Sequence, residues 1–256
     1  MNKYRFLAVV LCAAALSSCD KNAVRDITGP IATSRIKFFN FGVNAPAVNF
    51  YANDAKMTAV LSATGTEATT GTAYGSAGSA GFYSAIAPGA YVLSGKIAAA
   101  TDKDLIIGKV NATIADGKSY SFYLSGFYDA TAKTVDGFVV EDPYDATIDL
   151  SQAYVRFVNA ISNANPMTLY AKNTTTGVEA AVGTAVAYKA AGSFTALPGG
   201  VYDLSTRYAG VTTNAISRAA VSFSAGRVYT IGARGDITVT SSTATTRPIL
   251  DNTANR

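Results

Sequence analysis

Two cysteines, Cys12 and Cys19, carry the most versatile chemistry in this 256-residue chain. A cysteine can form a disulfide, bind a metal, act as a nucleophile or accept a covalently attached group. The chain contains no histidine, which is the usual general base near neutral pH and a common metal ligand. Catalytic and metal-binding roles for either cysteine therefore lack their usual partner.

Residues 1–18 have the layout of a secretory signal peptide. Lys3 and Arg5 give a positive start, an apolar stretch follows, and small residues precede Cys19. The apolar stretch is too short for a permanent membrane-spanning helix, which needs about 20 residues. We expect this segment to be removed together with Cys12, which leaves Cys19 without an intramolecular disulfide partner.

The residues before Cys19 resemble a bacterial lipobox. In that pattern a leucine stands three positions before the cysteine with small residues between them, as Leu16, Ser17 and Ser18 do here. The resemblance implies that the mature chain begins at Cys19 and that its sulfur receives a diacylglyceryl group. The alternative is an ordinary signal peptide with a chance cysteine.

Lipid attachment at Cys19 predicts where the protein is found. Each buried methylene group adds about 0.8 kcal/mol of membrane affinity, so two or three acyl chains, such as palmitate, hold a protein at the membrane. We therefore expect an exported lipoprotein of the bacterial cell envelope, at the outer membrane, facing the periplasm or the cell surface. Its predicted contact with the membrane is through the lipid on Cys19.

Other patterns with catalytic potential are weak. Ser34 and Lys37 form an S-x-x-K pattern, but they fall on a predicted strand, where positions three apart face opposite sides. The glycine-rich stretch Gly75–Gly81 lacks the Gly-Lys-Ser/Thr ending of a phosphate-binding loop. We predict a protein that is not an enzyme, with no catalytic residues and no cofactor; an enzyme of unrecognised type is the less favoured alternative.

Carboxylates concentrate near the middle of the chain, where loops could hold calcium through six to eight oxygen ligands. The spacing of an EF-hand is absent, and a solvated linker would carry acids in the same way. We therefore predict no metal site and keep calcium as an alternative. The acids concerned are Asp129, Asp136, Glu141, Asp142, Asp145 and Asp149.

The composition excludes some partners. Charged residues make up 15% of the chain, against a usual share of roughly 25%, and the formal net charge is +4. Proteins that bind nucleic acid carry a concentrated basic face, which this sequence does not predict. No nucleic-acid partner is expected.

The chain repeats itself. Ile36–Asp54 aligns with Val155–Asn173, and two further blocks align downstream at nearly the same offset. Such self-similarity indicates a tandem duplication with small changes in loop length. Aligned pairs include Phe38 with Phe157, Asn40 with Asn159, Tyr51 with Tyr170, Tyr91 with Tyr202 and Tyr120 with Tyr229.

Each copy has the alternating pattern of β-strands. Around position 155, Val155 and Phe157 are predicted to face one side, and Arg156 and Val158 the other. Glycines at 117 and 226 predict hairpin turns between strands. We predict an all-β protein with two tandem antiparallel sandwiches of immunoglobulin-like type, which follow a signal peptide and a flexible tether.

The domain boundaries follow from the repeat and from composition. The predicted segments are a signal peptide at 1–18, a tether at 19–34, a first sandwich domain at 35–142, a linker at 143–152, a second sandwich domain at 153–241 and a C-terminal tail at 242–256.

The order of the blocks resembles a known family. The second copy contains "VRFVNA", a proline-containing loop, a strand ending in Tyr-Ala, "LPGGVYDL" and "SAGRVYTI", in the order found in the bacterial domain-of-unknown-function family 4397. The second copy matches from about Ala153 to Gly235, whereas the first carries a Gly/Ala/Thr-rich insertion at 58–81. The resemblance implies exported, often lipid-anchored sandwich domains and supplies no catalytic residues.

Together these features predict a binding, adhesion or envelope-structural module with a protein or glycan ligand that the sequence does not identify. Its oligomeric state is left open. The alternative is a pilin-like subunit of a surface filament, because an exposed sandwich edge can accept a donated strand. The recurrent tyrosines are expected to pack with hydrogen-bonded hydroxyls rather than to contact a ligand.

Overall fold

A computed structural model of the chain describes residues 32–58, 70–144 and 147–256. From Ala32 to Arg256 it forms one compact unit built from β-strands. Within these residues no helix is long and apolar enough to cross a membrane. The predicted lipidation residues Leu16, Ser17, Ser18 and Cys19, and the acid Asp145, lie outside the described residues.

The described residues of the first sandwich, 32–58 and 70–144, form nine strands and a short 3-10 turn at Gly78–Gly81. Its strands are β1 (Ser34–Asn40), β2 (Val48–Ala52), β3 (Ala55–Lys56), β4 (Ser76–Ala77), β5 (Ser84–Ile86), β6 (Gly89–Ile97), β7 (Ile106–Ile114), β8 (Ser119–Asp129) and β9 (Thr134–Glu141).

The second sandwich also contains nine strands. They are β10 (Gln152–Asn159), β11 (Met167–Asn173), β12 (Glu179–Val186), β13 (Ala190–Ala191), β14 (Thr195–Pro198), β15 (Gly200–Tyr208), β16 (Ile216–Phe223), β17 (Val228–Arg234) and β18 (Ile249–Ala254).

The two sandwiches share one topology. In the first, one sheet has the order β4-β1-β8-β9, with β5 also paired to β1, and the other has the order β3-β2-β6-β7. The second sandwich repeats this pattern strand for strand, from β13-β10-β17-β18 to β12-β11-β15-β16. The predicted all-β sandwich architecture is confirmed. One pair in each sandwich departs from an antiparallel arrangement, because β1–β8 and β10–β17 are parallel.

Each sandwich has its own apolar core. Ile36 and Phe38 of β1 belong to the first core, and Val155 and Phe157 of β10 belong to the second. The intervening side chains face the opposite side of the sheet, as the alternation predicted. Gly117 and Gly226 adopt positive φ values of 68° and 74°, which confirms the two predicted turn positions.

The end of the chain belongs to the second sandwich. β18 pairs antiparallel with β17, and Leu250 is buried in the second core. Residues 242–256 are therefore not a tail, and the predicted domain end at 241 was wrong. The sequence signal was weak because only Ile249 and Leu250 are strongly apolar in a strand that continues as Asp-Asn-Thr-Ala.

Candidate functional site

The two sandwiches meet where the sheet containing β1 faces the sheet containing β10. We call this contact the seam. Phe39 and Tyr123 stack with ring centroids 4.5 Å apart, and Phe138 stacks on Tyr123 at 5.0 Å. These rings form one buried cluster with Val158 and Ala160 of the second sandwich. The seam is thus a third apolar core that joins the two halves.

A buried ion pair crosses the seam. Arg156, on β10, is fully buried and pairs with Asp142, which follows β9 of the other sandwich. The guanidinium also donates to the Glu141 carbonyl oxygen (2.7 Å) and to the Thr230 hydroxyl (3.0 Å). Because a buried charge is costly unless it is paired and hydrogen-bonded, this set of partners is what makes the burial tolerable.

Asp142 is held from several directions. Its second carboxylate oxygen accepts hydrogen bonds from the Tyr83 hydroxyl (2.6 Å) and the Ser121 hydroxyl (2.9 Å). Burial, and then the negative charge of Asp142, raise the pKa of Tyr83 well above its ordinary value. Tyr83 therefore keeps its proton and acts as a hydrogen-bond donor to the carboxylate.

Lys37 occupies on β1 the position that Arg156 occupies on β10. Each points across the seam to the carbonyl oxygen at the end of the other sandwich's last strand: Arg156 to Glu141, and Lys37 to Ala254. Each also lies over an aromatic ring of its own sandwich; the Lys37 ammonium is 4.4 Å from the ring centroid of Tyr83. The seam is therefore a reciprocal contact between equivalent elements.

The reciprocity fails at one position. The residue after Glu141 is Asp142, whereas the residue after Ala254 is Asn255. Arg156 has a carboxylate partner, while Lys37, only 2% exposed, forms no ion pair with the described residues. Burial lowers the pKa of Lys37 to about 8, opposed by the charge of Asp142.

A polar cleft opens beside the seam. Arg35 stands at its edge, 4.9 Å from the Tyr83 ring and 5.5 Å from the Tyr144 ring. Its Nε donates to the Ser119 hydroxyl (2.8 Å), and its Nη2 donates to the Tyr144 hydroxyl. The cleft has a volume of about 650 Å³. Its lining comprises Arg35, Asp116, Gly117, Lys118, Ser119, Glu141, Asp142, Pro143, Tyr144, Asn255 and Arg256.

The S-x-x-K residues take separate partners. The Ser34 hydroxyl donates to the Ala115 carbonyl oxygen (2.8 Å), whereas Lys37 donates across the seam to Ala254. A serine and a lysine that act together must share a hydrogen bond, and these two side chains do not. The Ser34 and Lys37 side chains are therefore bonded to different partners and not to each other.

The glycine-rich stretch forms part of the wall beside the seam. Ser79 and Ala80 have positive φ values of 50° and 53°, a conformation that L-residues rarely adopt. A Cβ atom added to Gly75 would lie 2.7 Å from the Arg234 guanidinium carbon, so the bare backbone allows this close packing. The stretch therefore has a packing role at this position.

The acids considered for calcium have other partners. Asp142 pairs with Arg156, and Asp136 pairs with Lys189 (2.9 Å). Asp129 accepts hydrogen bonds from the backbone of its own hairpin, at 2.8 Å in each case. Over residues 32–58, 70–144 and 147–256 no cluster of three or more acidic or cysteine side chains could hold a metal ion.

One pair of the recurrent tyrosines, Tyr91 and Tyr202, behaves as the sequence predicted. The hydroxyls of Tyr91 and Tyr202 donate to the carbonyl oxygens of Ala87 (3.0 Å) and Pro198 (2.7 Å), in equivalent turns of the two sandwiches. These bonds tie each strand start to the preceding turn. The contacts confirm a packing role for this pair.

The seam itself was not predicted. Alternation placed Arg156 opposite the core, which on a single sandwich means exposure to solvent. A signal was nevertheless present, because Phe39 and Val158 make both faces of β1 and β10 apolar. A strand that is apolar on both faces is covered on both faces.

Comparison with known proteins finds one family model that is similar to the second sandwich. Residues 153–256 match the family described as "Domain of unknown function (DUF4397)". The match extends through β18 and agrees with the resemblance carried by the second copy. A search of curated proteins finds no match.

Proposed function

We propose that this chain is a bacterial lipoprotein whose two sandwiches are tandem copies of one domain, and that it serves binding, adhesion or envelope structure without catalysis. The lipid on Cys19 would hold it at the outer membrane, facing the periplasm or the surface. The observation that carries the tandem-copy part of the proposal is the reciprocal seam, which joins the two sandwiches into one body.

The idea of two copies is supported by topology and by repeated contacts. Tyr51 lies beside Lys96, with the ammonium 4.2 Å from the ring centroid, and the equivalent pair is Tyr170 with Arg207 at 4.4 Å. Such agreement extends the duplication from core positions to side chains on the outer sheets. It supports the assignment of the first sandwich to the same family as the second.

A non-catalytic role is supported by how the polar groups are used. The best-connected charged group, the Arg156–Asp142 pair, is fully buried and spans the two sandwiches. Its partners stabilise the seam, and the Ser121 hydroxyl that contacts the carboxylate is itself buried. This arrangement supports a binding or structural module rather than an enzyme.

The anchor is tested by replacing the cysteine. In the bacterial host, Cys19→Ala should move the protein from the membrane fraction to the soluble fraction or block its processing, and should abolish labelling with radioactive palmitate. Cys12→Ala is the matched control, because that cysteine lies in the segment expected to be removed. Unchanged fractionation and labelling of Cys19→Ala would overturn the lipoprotein proposal.

A filament subunit is the second candidate, because β18 ends its sheet in the described residues and its outward carbonyls are only partly covered. The Asn255 N–H donates to the Val228 carbonyl oxygen (2.7 Å), so alternate residues of β18 direct their backbone groups away from β17. Lys37 and Arg218 cover the carbonyls of Ala254 and Leu250. Polymer ladders on a mildly denaturing gel would favour this candidate, whereas a purified monomer would count against it.

A further inference from the structure

We propose that the cleft beside the seam binds a small ligand that presents a carboxylate to Arg35 and hydrogen-bond donors to Asn255. This inference deepens the proposed binding function and rests on it, but it does not depend on the lipid anchor. The two proposals can therefore fail independently.

Arg35 is held in place before any ligand arrives. Its guanidinium lies against the rings of Tyr83 and Tyr144 and is fixed by hydrogen bonds to Ser119 and Tyr144. A planar guanidinium in a fixed orientation matches the two oxygens of a carboxylate and loses little rotamer entropy on binding. The remaining N–H groups of Arg35, at the edge of the cleft, are the expected anion contact.

The buried charges at the seam beside the cleft include two cations and one carboxylate. Lys37 and Arg156 are both buried at the seam, yet they share one buried carboxylate, that of Asp142. Asn255 stands where the reciprocal pattern would place a second carboxylate. An anion in the adjoining cleft would add negative charge close to these two buried cations.

The donor requirement comes from Asn255. Its side chain is 5% exposed and lines the cleft, and its Oδ1 has no hydrogen-bond partner in the described part of the structure. The Nδ2 already donates to the Tyr83 hydroxyl at 3.1 Å, which fixes the orientation of the amide. A ligand that donates to Oδ1 would satisfy a buried acceptor that is otherwise costly to leave unpaired.

The rim adds two acceptors, the carboxylates of Asp116 and Glu141. A ligand with a carboxylate at one end and donors at the other fits this arrangement. The donors can be the hydroxyls of an acidic sugar or the ammonium group of an amino acid. Both sources share the same chemistry, and the experiment separates them.

The test is isothermal titration calorimetry on the purified full chain with four probes. Sodium glucuronate and alanyl-alanine carry both features, whereas acetate lacks the donors and glucose lacks the charge. We expect saturable binding of at least one two-feature probe, weaker binding of acetate and none of glucose. Binding of glucuronate alone indicates an acidic sugar, and binding of alanyl-alanine alone indicates an amino acid or peptide.

Two variants test the residues named. Arg35→Gln removes a charge-assisted contact and should weaken binding about tenfold or more. Asn255→Asp places a carboxylate beside Lys37 and should weaken binding similarly while the protein remains folded. The matched control is Arg207→Gln, because Arg207 also lies over a tyrosine ring but contacts Glu179 on a distant sheet.

Two results would overturn the inference. One is the absence of saturable heat with both two-feature probes in the folded wild-type chain. The other is equal affinity in Arg35→Gln and Arg207→Gln. Because Cys19 takes no part in either result, membrane fractionation and ligand binding report on separate proposals.

Discussion

Arg156 shows how a single residue can decide whether two sandwiches form one body. Its guanidinium is buried at the seam and reaches three groups through hydrogen bonds, two of them from the other sandwich. A buried ion pair adds little net stability relative to an apolar pair, but removing one partner leaves an unpaired charge. The free energy of unfolding is therefore expected to fall when one partner of the pair is removed.

Replacing Asp142 tests this directly. Asp142→Asn leaves the buried Arg156 without its counter-charge, and we expect the free energy of unfolding to fall by about 3 to 5 kcal/mol. Urea denaturation followed by circular dichroism measures the change. Asp136→Asn is the control, since its pair with Lys189 is solvent-exposed and should contribute at most about 1 kcal/mol. Equal effects of the two variants would contradict the role assigned to the seam pair.

Lys37 predicts a dependence of stability on pH. Its pKa is lowered to about 8 in the folded chain, chiefly by burial, from an ordinary value of 10.5. Between these two values the unfolded chain binds more protons than the folded chain, so this group makes stability rise with pH, by at most about 1.4 kcal/mol per pH unit. The nearby charge of Asp142 raises this pKa, whereas those of Arg35 and Arg156 lower it.

The measurement is urea denaturation at several pH values in this window. Lys37→Met should remove the rise while preserving the buried stem. Readings stay below about pH 10, because tyrosines of the unfolded chain ionise near that value and reverse the trend. Identical pH profiles for wild type and Lys37→Met would contradict the lowered pKa.

At the scale of elements, β18 is a strand in a region that the sequence predicted to be a tail. It completes the sheet of the second sandwich, and its second residue, Leu250, is buried in the core. The carbonyl oxygen of its last residue, Ala254, accepts a hydrogen bond from Lys37 across the seam. One short strand therefore serves both the fold of its own sandwich and the contact with the other.

Leu250→Ala tests the assignment of β18. Removing a buried leucine side chain leaves a cavity, so we expect the free energy of unfolding to fall by about 2 to 5 kcal/mol. Leu150→Ala is the control, since Leu150 is 66% exposed. Thermal or urea denaturation compares the two variants. A neutral Leu250→Ala would mean that residues 242–256 behave as a tail after all.

The sequence predicted those features that depend on local pattern. The alternation along β10 and the glycine turns at 117 and 226 are local, and the structure confirms them. The pairing of Arg156 with Asp142 depends on how two sheets pack, and no spacing along the chain encodes it. The cleft at Arg35 was missed for the same reason.

At the scale of the whole molecule, the central claim is that two equivalent sandwiches unfold and act as one unit. The described residues from Ala32 to Arg256 are compact, and the seam contains both stacked aromatic rings and reciprocal buried cations. Separate domains on a linker would instead move and unfold independently.

Differential scanning calorimetry of the purified chain tests this claim most directly. Our account predicts a single transition whose calorimetric enthalpy equals its van't Hoff enthalpy, the signature of one cooperative unit. Two resolved transitions, or a van't Hoff enthalpy near half the calorimetric value, would contradict it and show that the sandwiches unfold as independent domains.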